Sequence, residues 1–165
     1  MYFNKNLVRN YYPDVNVFRL VNDFEWTYDR FYSMVKDIWV SNDSTKSMDD
    51  VYGMIAQAEH SMNAFQFSFD LKTTAKTTDG FPLLNINVDK WSDATRKLYT
   101  FLYETDGVFV DRSWIDYRTM FAAGKGLFAS GVFAHALLGN YSNMTDEYAI
   151  IPFPMYNDTQ ETYYS

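Results

Sequence analysis

A chain of 165 residues with 47% hydrophobic and 21% charged residues falls in the range of one globular domain, not a disordered segment. Its net charge of −7 repels phosphate backbones, which argues against nucleic acid as a partner, and no apolar run approaches the roughly 18 residues needed to span a membrane. Cysteine is absent, which removes a thiol nucleophile, a disulfide framework and a thiolate metal site but leaves the cellular compartment open.

Residues 4–10 (NKNLVRN) predict a short helix that must stop near Pro13, because proline disfavours helix in the residue before it. Residues 17–21 form a second short apolar piece. A stronger helix follows, with Thr27 as N-cap, Asp29 in the first turn, and Tyr28, Phe31, Val35, Ile38 and Trp39 on one face. Residues 41–50 are polar and read as a loop, and 51–55 (VYGMI) as a buried strand. Residues 60–70 show an aromatic helical pattern. Residues 71–86 predict a hairpin whose turn is Thr78-Asp79-Gly80.

A second strong helix is expected over 88–105, with Trp91, Ala94, Leu98, Phe101 and Leu102 as its apolar stripe and Gly107 as its stop. Residues 108–117 read as irregular and 118–123 as a short helix ended by Gly124. Residues 126–130 follow as a strand, 131–138 as a helix start, and 148–152 as a last strand. Helices alternating with short buried strands predict a single α/β domain over 1–165, a mostly parallel short sheet with helices on both faces.

In such sheets ligands sit beyond the carboxyl ends of the strands. That rule selects Gln57, Glu59 and His60 after the second strand, and Phe133 and His135 after the third. Trp114 and Tyr117, in the stretch read as irregular, join them because loops carry function. The aromatic share is 19%, from 14 Tyr, 14 Phe and 4 Trp; most of these rings are expected to fill the core, and a few to grip a partly polar ligand.

Nothing in the chain marks catalysis, a metal or a cofactor. The two histidines, His60 and His135, are far apart in sequence, and no G-x-S-x-G elbow occurs. Gly124-Lys125-Gly126 lacks the first glycine and the Ser/Thr of a phosphate loop. The acidic loop 43–49 lacks the glycine and terminal glutamate of a calcium loop. The expectation is a binding protein without enzymatic activity.

Five local patterns, in order, resemble a known family. Tyr2-Phe3-Asn4-Lys5-Asn6-Leu7 is similar to a "Y-N-K-D-L" strand-to-helix step, and Trp26-Thr27-Tyr28-Asp29-Arg30-Phe31 to a "W-T-W-D-x-F" helix start. Asp50-Val51-Tyr52-Gly53 is similar to "D-x-Y-G", and Phe121-Ala122-Ala123-Gly124-Lys125-Gly126-Leu127-Phe128 to "F-x-x-G-K-A-x-M/F". Tyr148-Ala149-Ile150-Ile151-Pro152-Phe153-Pro154, with Gln160 and Tyr163, is similar to "Y-G-I-L-P-Y-P…Q…Y". Together they resemble the extracellular solute-binding proteins of bacterial ABC importers, the carbohydrate-type group that includes maltose-binding protein.

That resemblance implies one lobe of a periplasmic-binding-protein-like fold: the second lobe, cut near both strands that cross to a missing first lobe. It implies capture of a small-molecule solute, a sugar or oligosaccharide, by hinge closure. It also implies ABC permease subunits as partners and a place, through the parent protein, at the extracellular face of the membrane or in the periplasm. Residues 1–5 themselves carry no signal-peptide pattern. The turn after Gly131 departs from the family's "P-W-A-W" and reads Val132-Phe133-Ala134-His135, leaving Phe133 to supply a flat face for a sugar ring. The competing expectations are a stand-alone carbohydrate- or peptide-binding module and, further off, a hydrolase fragment.

Overall fold

The computed structural model describes residues 1–113 and 116–164. Short strands alternate with helices whose first turns are mostly closed by side chains. Strand β1 (Tyr2–Asn4) runs into α1 (Lys5–Tyr11), where Asn4 Oδ1 accepts hydrogen bonds from the backbone N–H groups of Asn6 and Leu7 at 2.9 and 3.0 Å. Asn16 caps α2 (Val17–Asn22), Thr27 caps α3 (Tyr28–Val35), and Gln57 caps α4 (Ala58–Ser68) in the same way. Asn87 does so for α5 (Val88–Tyr99). Strands β2 (Trp39–Val40) and β3 (Val51–Gln57) precede α4. The hairpin β4 (Thr74–Lys76) and β5 (Pro82–Leu84) forms as expected, with Gly80 at φ 84° in its turn.

The expected long second helix changes pitch. After α5 the chain makes a π-helical turn over Thr100–Glu104, in which Thr105 Oγ1 donates to the carbonyl of Thr100. Phe101 and Leu102 of this turn, like Leu98 in the last turn of α5, are buried in the core. The stretch expected to be irregular contains β6 (Val108–Asp111) and the start of α6 (Asp116–Ala122). Strand β7 (Gly126–Ala129), α7 (Ala134–Leu137) and β8 (Tyr148–Ile150) complete the chain.

Six strands form one sheet, ordered β2-β3-β7-β1-β8, with β6 also on β3. Tyr52 pairs with both Trp39 of β2 and Gly126 of β7, and Met54 with both Val108 of β6 and Phe128 of β7. Strands β2 and β6 therefore share the edge of β3 opposite β7. The sheet is mixed, and this corrects the expectation of a mostly parallel one. Strands β3, β6 and β7 are parallel, but β1 inserts antiparallel between β7 and β8, and β2 is antiparallel to β3. The cause is long-range: β1 reaches its place by pairing Tyr2 with Ala129 and Ile150, partners more than 120 residues away that no local pattern encodes.

Helices cover both faces. Successive residues of one strand go to opposite cores, as pleating requires: Phe3, Ala56 and Phe128 to one, Tyr2, Ile55 and Ala129 to the other. The larger core takes side chains from α1 to α5, and the smaller takes Tyr117, Met120 and Phe121 of α6 together with Tyr141. Most of the aromatic excess is spent here. Phe31 lies 5.3 Å from Phe101, 5.4 Å from Phe128 and 5.7 Å from Trp26 between ring centres, tilted or edge-on, and such pairs add about 0.5–1.5 kcal/mol each beyond simple burial.

The end of α3 presses directly on the sheet. A Cβ on Gly53 would fall 2.4 Å from the Val35 carbonyl oxygen, and one on Gly107 would fall 1.8 Å from it. Both positions require glycine. No helix among the described residues is long and apolar enough to cross a membrane.

Candidate functional site

Because β3, β6 and β7 are parallel and in register, Gln57, Asp111 and Ala129 end on the same edge of the sheet. The segments that leave them converge there. The Gln57 backbone N–H donates to Ser130 Oγ at 2.9 Å, tying the end of β3 to the residue that follows β7. Gln57 Oε1 accepts from the His60 N–H at 2.7 Å and opens α4. Asp111 is 4% exposed and accepts from the N–H groups of Ser113 (2.6 Å) and Tyr117 (3.0 Å), so it sets the step from β6 into α6.

Two of the expected site residues meet directly. Tyr117 Oη and His135 Nε2 share a hydrogen bond of 3.2 Å, buried beneath the loop after β7. The imidazole also contacts Tyr2 and Tyr141, with ring centres 6.4 and 6.0 Å away. Burial lowers the His135 pKa, and the charges of Arg118 and His60 lower it further, so the ring is neutral near pH 7. The same burial raises the pKa values of Tyr117 and Tyr141, keeping both phenols protonated. Among the described residues His135 Nδ1 and Tyr141 Oη have no hydrogen-bond partner. Tyr2 Oη donates to the Val132 carbonyl at 2.9 Å, and this fixes the turn that carries Phe133.

That turn borders a half-open cleft of about 670 Å³. Gly131, Val132 and Phe133 form one wall, Ala64 and Phe67 of α4 another, and Ile150 to Phe153 with Tyr164 the third. Phe133 is 71% exposed and Phe67 65%, so both rings stand free at the rim. The lining is predominantly apolar with a few polar groups, and a volume of this order is in the roughly 300–1,000 Å³ range of small-molecule sites.

The expected site residues thus divide by role. Phe133 lines the cleft. Gln57, Tyr117 and His135 are buried and hold the loops around it, while Glu59 is exposed in the first turn of α4 and His60 is half-buried beside it. Trp114 lies outside the described residues. Phe67 and Tyr164 were not anticipated as site residues. For Phe67 the signal was present: Phe65 on α4 and Phe69 at its C-cap are buried four residues apart, so the ring between them points away from the core. Asp111 was not legible in the same way, because the strand it closes reads as a loop in the sequence.

Carboxylates with displaced pKa values all move down. Asp50 is held at about 2 by the Trp39 indole N–H and the Ser47 N–H; Asp93 is lowered by the Tyr156 hydroxyl and Glu147 by Lys5. Comparison of the chain with protein-family models, curated proteins and solved structures finds no match.

Proposed function

We propose that this chain is a substrate-capture lobe of the solute-binding-protein type, holding a sugar or oligosaccharide in the cleft beside Phe133 and serving an ABC importer. The observation that carries the reading is the cleft itself. It is half-open, lies beyond the carboxyl ends of β7 and β8, and is edged by free aromatic rings on two separate segments. A sugar ring offers C–H groups to an aromatic face, and Phe133 and Phe67 supply such faces.

The openness favours a lobe over a self-contained module, because one side of the ligand would be left for a second lobe to cover. Closure would then follow from the ligand's higher affinity for the state in which both lobes touch it. The reading assigns the chain no catalytic step and places it outside the cytoplasm, with the permease subunits as its protein partners.

Calorimetry of this chain against a panel of mono- and oligosaccharides tests the reading. Half a site predicts saturable binding weaker than micromolar. Submicromolar affinity from this chain alone would establish the self-contained module instead, and no binding by any sugar would overturn the carbohydrate assignment.

A further inference from the structure

Tyr164 belongs to two depressions at once: the apolar cleft and a neighbouring polar groove of about 490 Å³ that also includes Asn157, Tyr156 and Lys90. A third depression, of about 200 Å³, shares Asp70, Asn87 and Lys90 with that groove and ends against Trp91 and Asn85. Shared lining residues thus place the three in series, from Phe133 at one end to Trp91 at the other.

Resting on the reading above, we infer that the Asp70–Asn87–Trp91 groove is a second carbohydrate subsite continuous with the cleft, so that the chain selects a linear oligosaccharide over a monosaccharide. Its chemistry is that of a neutral, hydroxyl-rich ligand. Two lysines, Lys72 and Lys90, stand against two carboxylates, Asp70 and Glu161, so the groove carries no net charge. The cations are engaged locally: Lys72 pairs with Asp70 at 3.1 Å, and Lys90 lies 5.2 Å from the Tyr156 ring centre. An anionic ligand would have to break these contacts.

Amides supply the hydroxyl-binding groups. Asn87 Oδ1 accepts from the Lys90 N–H, and Asn157 Oδ1 from Thr159, which leaves each Nδ2 as a donor. Trp91 supplies the flat wall, with its indole N–H anchored on the Lys72 carbonyl at 3.2 Å. The walls are set in advance: Gln160 donates to the carbonyls of Ser68 and Thr162 and accepts from the Tyr156 N–H, binding the last segment to the end of α4. A preset groove loses little entropy when a flexible chain is laid along it.

The test uses linear hexasaccharides of glucose, xylose and mannose, each beside its monosaccharide, titrated into the wild-type chain and three variants. The hexamer of the recognised sugar should bind about tenfold tighter than its monomer. Trp91→Ala and Asn85→Ala should each remove most of that advantage and leave the monomer's affinity unchanged, while Phe133→Ala should weaken both. Asn85 is exposed, so its variant keeps the fold intact if the Trp91 variant does not. Equal affinity for monomer and hexamer, or a hexamer indifferent to both Trp91→Ala and Asn85→Ala, overturns the second subsite and leaves the cleft standing. Absence of binding by every sugar overturns both.

Discussion

Gly131 and His135 are packed so closely that a Cβ on the glycine would lie 2.7 Å from the imidazole Nδ1. The same Cβ would lie 3.1 Å from the Tyr2 ring. The glycine lets the loop after β7 fold down onto a buried histidine, and that contact sets where Phe133 emerges. Gly131→Ala should therefore destabilise the chain by about 1–3 kcal/mol through overpacking, read as a lower urea midpoint at unchanged slope. An unchanged midpoint would mean that the loop has slack the structure does not show.

The buried state of His135 gives stability a pH dependence. Its folded pKa is lowered by burial, then by Arg118 and His60, whereas unfolded histidine titrates near 6.5. Below about pH 6.5 the unfolded chain binds the extra proton first, so stability falls as pH drops from there toward the folded pKa. His135→Phe should flatten this part of the stability–pH curve. Tyr117→Phe removes the 3.2 Å hydrogen bond and should cost about 1 kcal/mol at neutral pH.

Asp50 contributes with the same proton sense, in a lower pH window. Its carboxylate accepts from the Trp39 indole N–H, the Ser47 N–H and the Tyr52 hydroxyl at 3.1, 3.0 and 3.2 Å, and its pKa falls from 3.8 to about 2. The stabilisation is complete above pH 3.8 and is lost as pH falls through that interval toward 2. Asp50→Asn should lower the Tm at pH 7, and the gap to wild type should narrow through the same interval. A gap that stays constant with pH would show that the charge itself contributes nothing.

Phe133 and Phe31 separate binding from folding. Phe133 is 71% exposed, so Phe133→Ala should change stability by less than about 0.5 kcal/mol while weakening sugar binding. Phe31 is fully buried among Trp26, Phe101 and Phe128, and Phe31→Ala should cost about 3–5 kcal/mol. Chemical denaturation of the two variants checks both numbers.

Much of the local structure was legible because it rests on neighbours in sequence. Thr27 caps its helix through Arg30, three residues on, and Gly80 turns a hairpin whose strands are adjacent. The antiparallel β1 was not legible, since its place depends on Ala129 and Ile150. Strand β6 escaped because four residues ending in Asp111 show too few alternations to stand out from a loop. The spacing places Trp39 on the apolar face of the helix that Thr27 opens, but α3 ends at Val35, whose carbonyl meets Gly53 and Gly107, and Trp39 lies in β2. In the site, the strand-end rule reached Phe133 directly. It reached Gln57 and His135 as well, and the expectation that loops carry function reached Tyr117, but all three are groups that hold the rim and not the rim itself. Tyr164 arrives from the far end of the chain, and no spacing rule connects it to Phe133.

The central claim is that the cleft between Phe133, Phe67 and Tyr164 receives a sugar. The most direct measurement is a titration of the isotope-labelled chain with the sugar panel, followed by amide chemical shifts. The account predicts saturable shifts concentrated at residues 131–133, at Ala64 and Phe67, and at residues 150–153, with fast exchange matching weak half-site affinity. Saturable shifts confined to another surface, or none with any sugar, would contradict it.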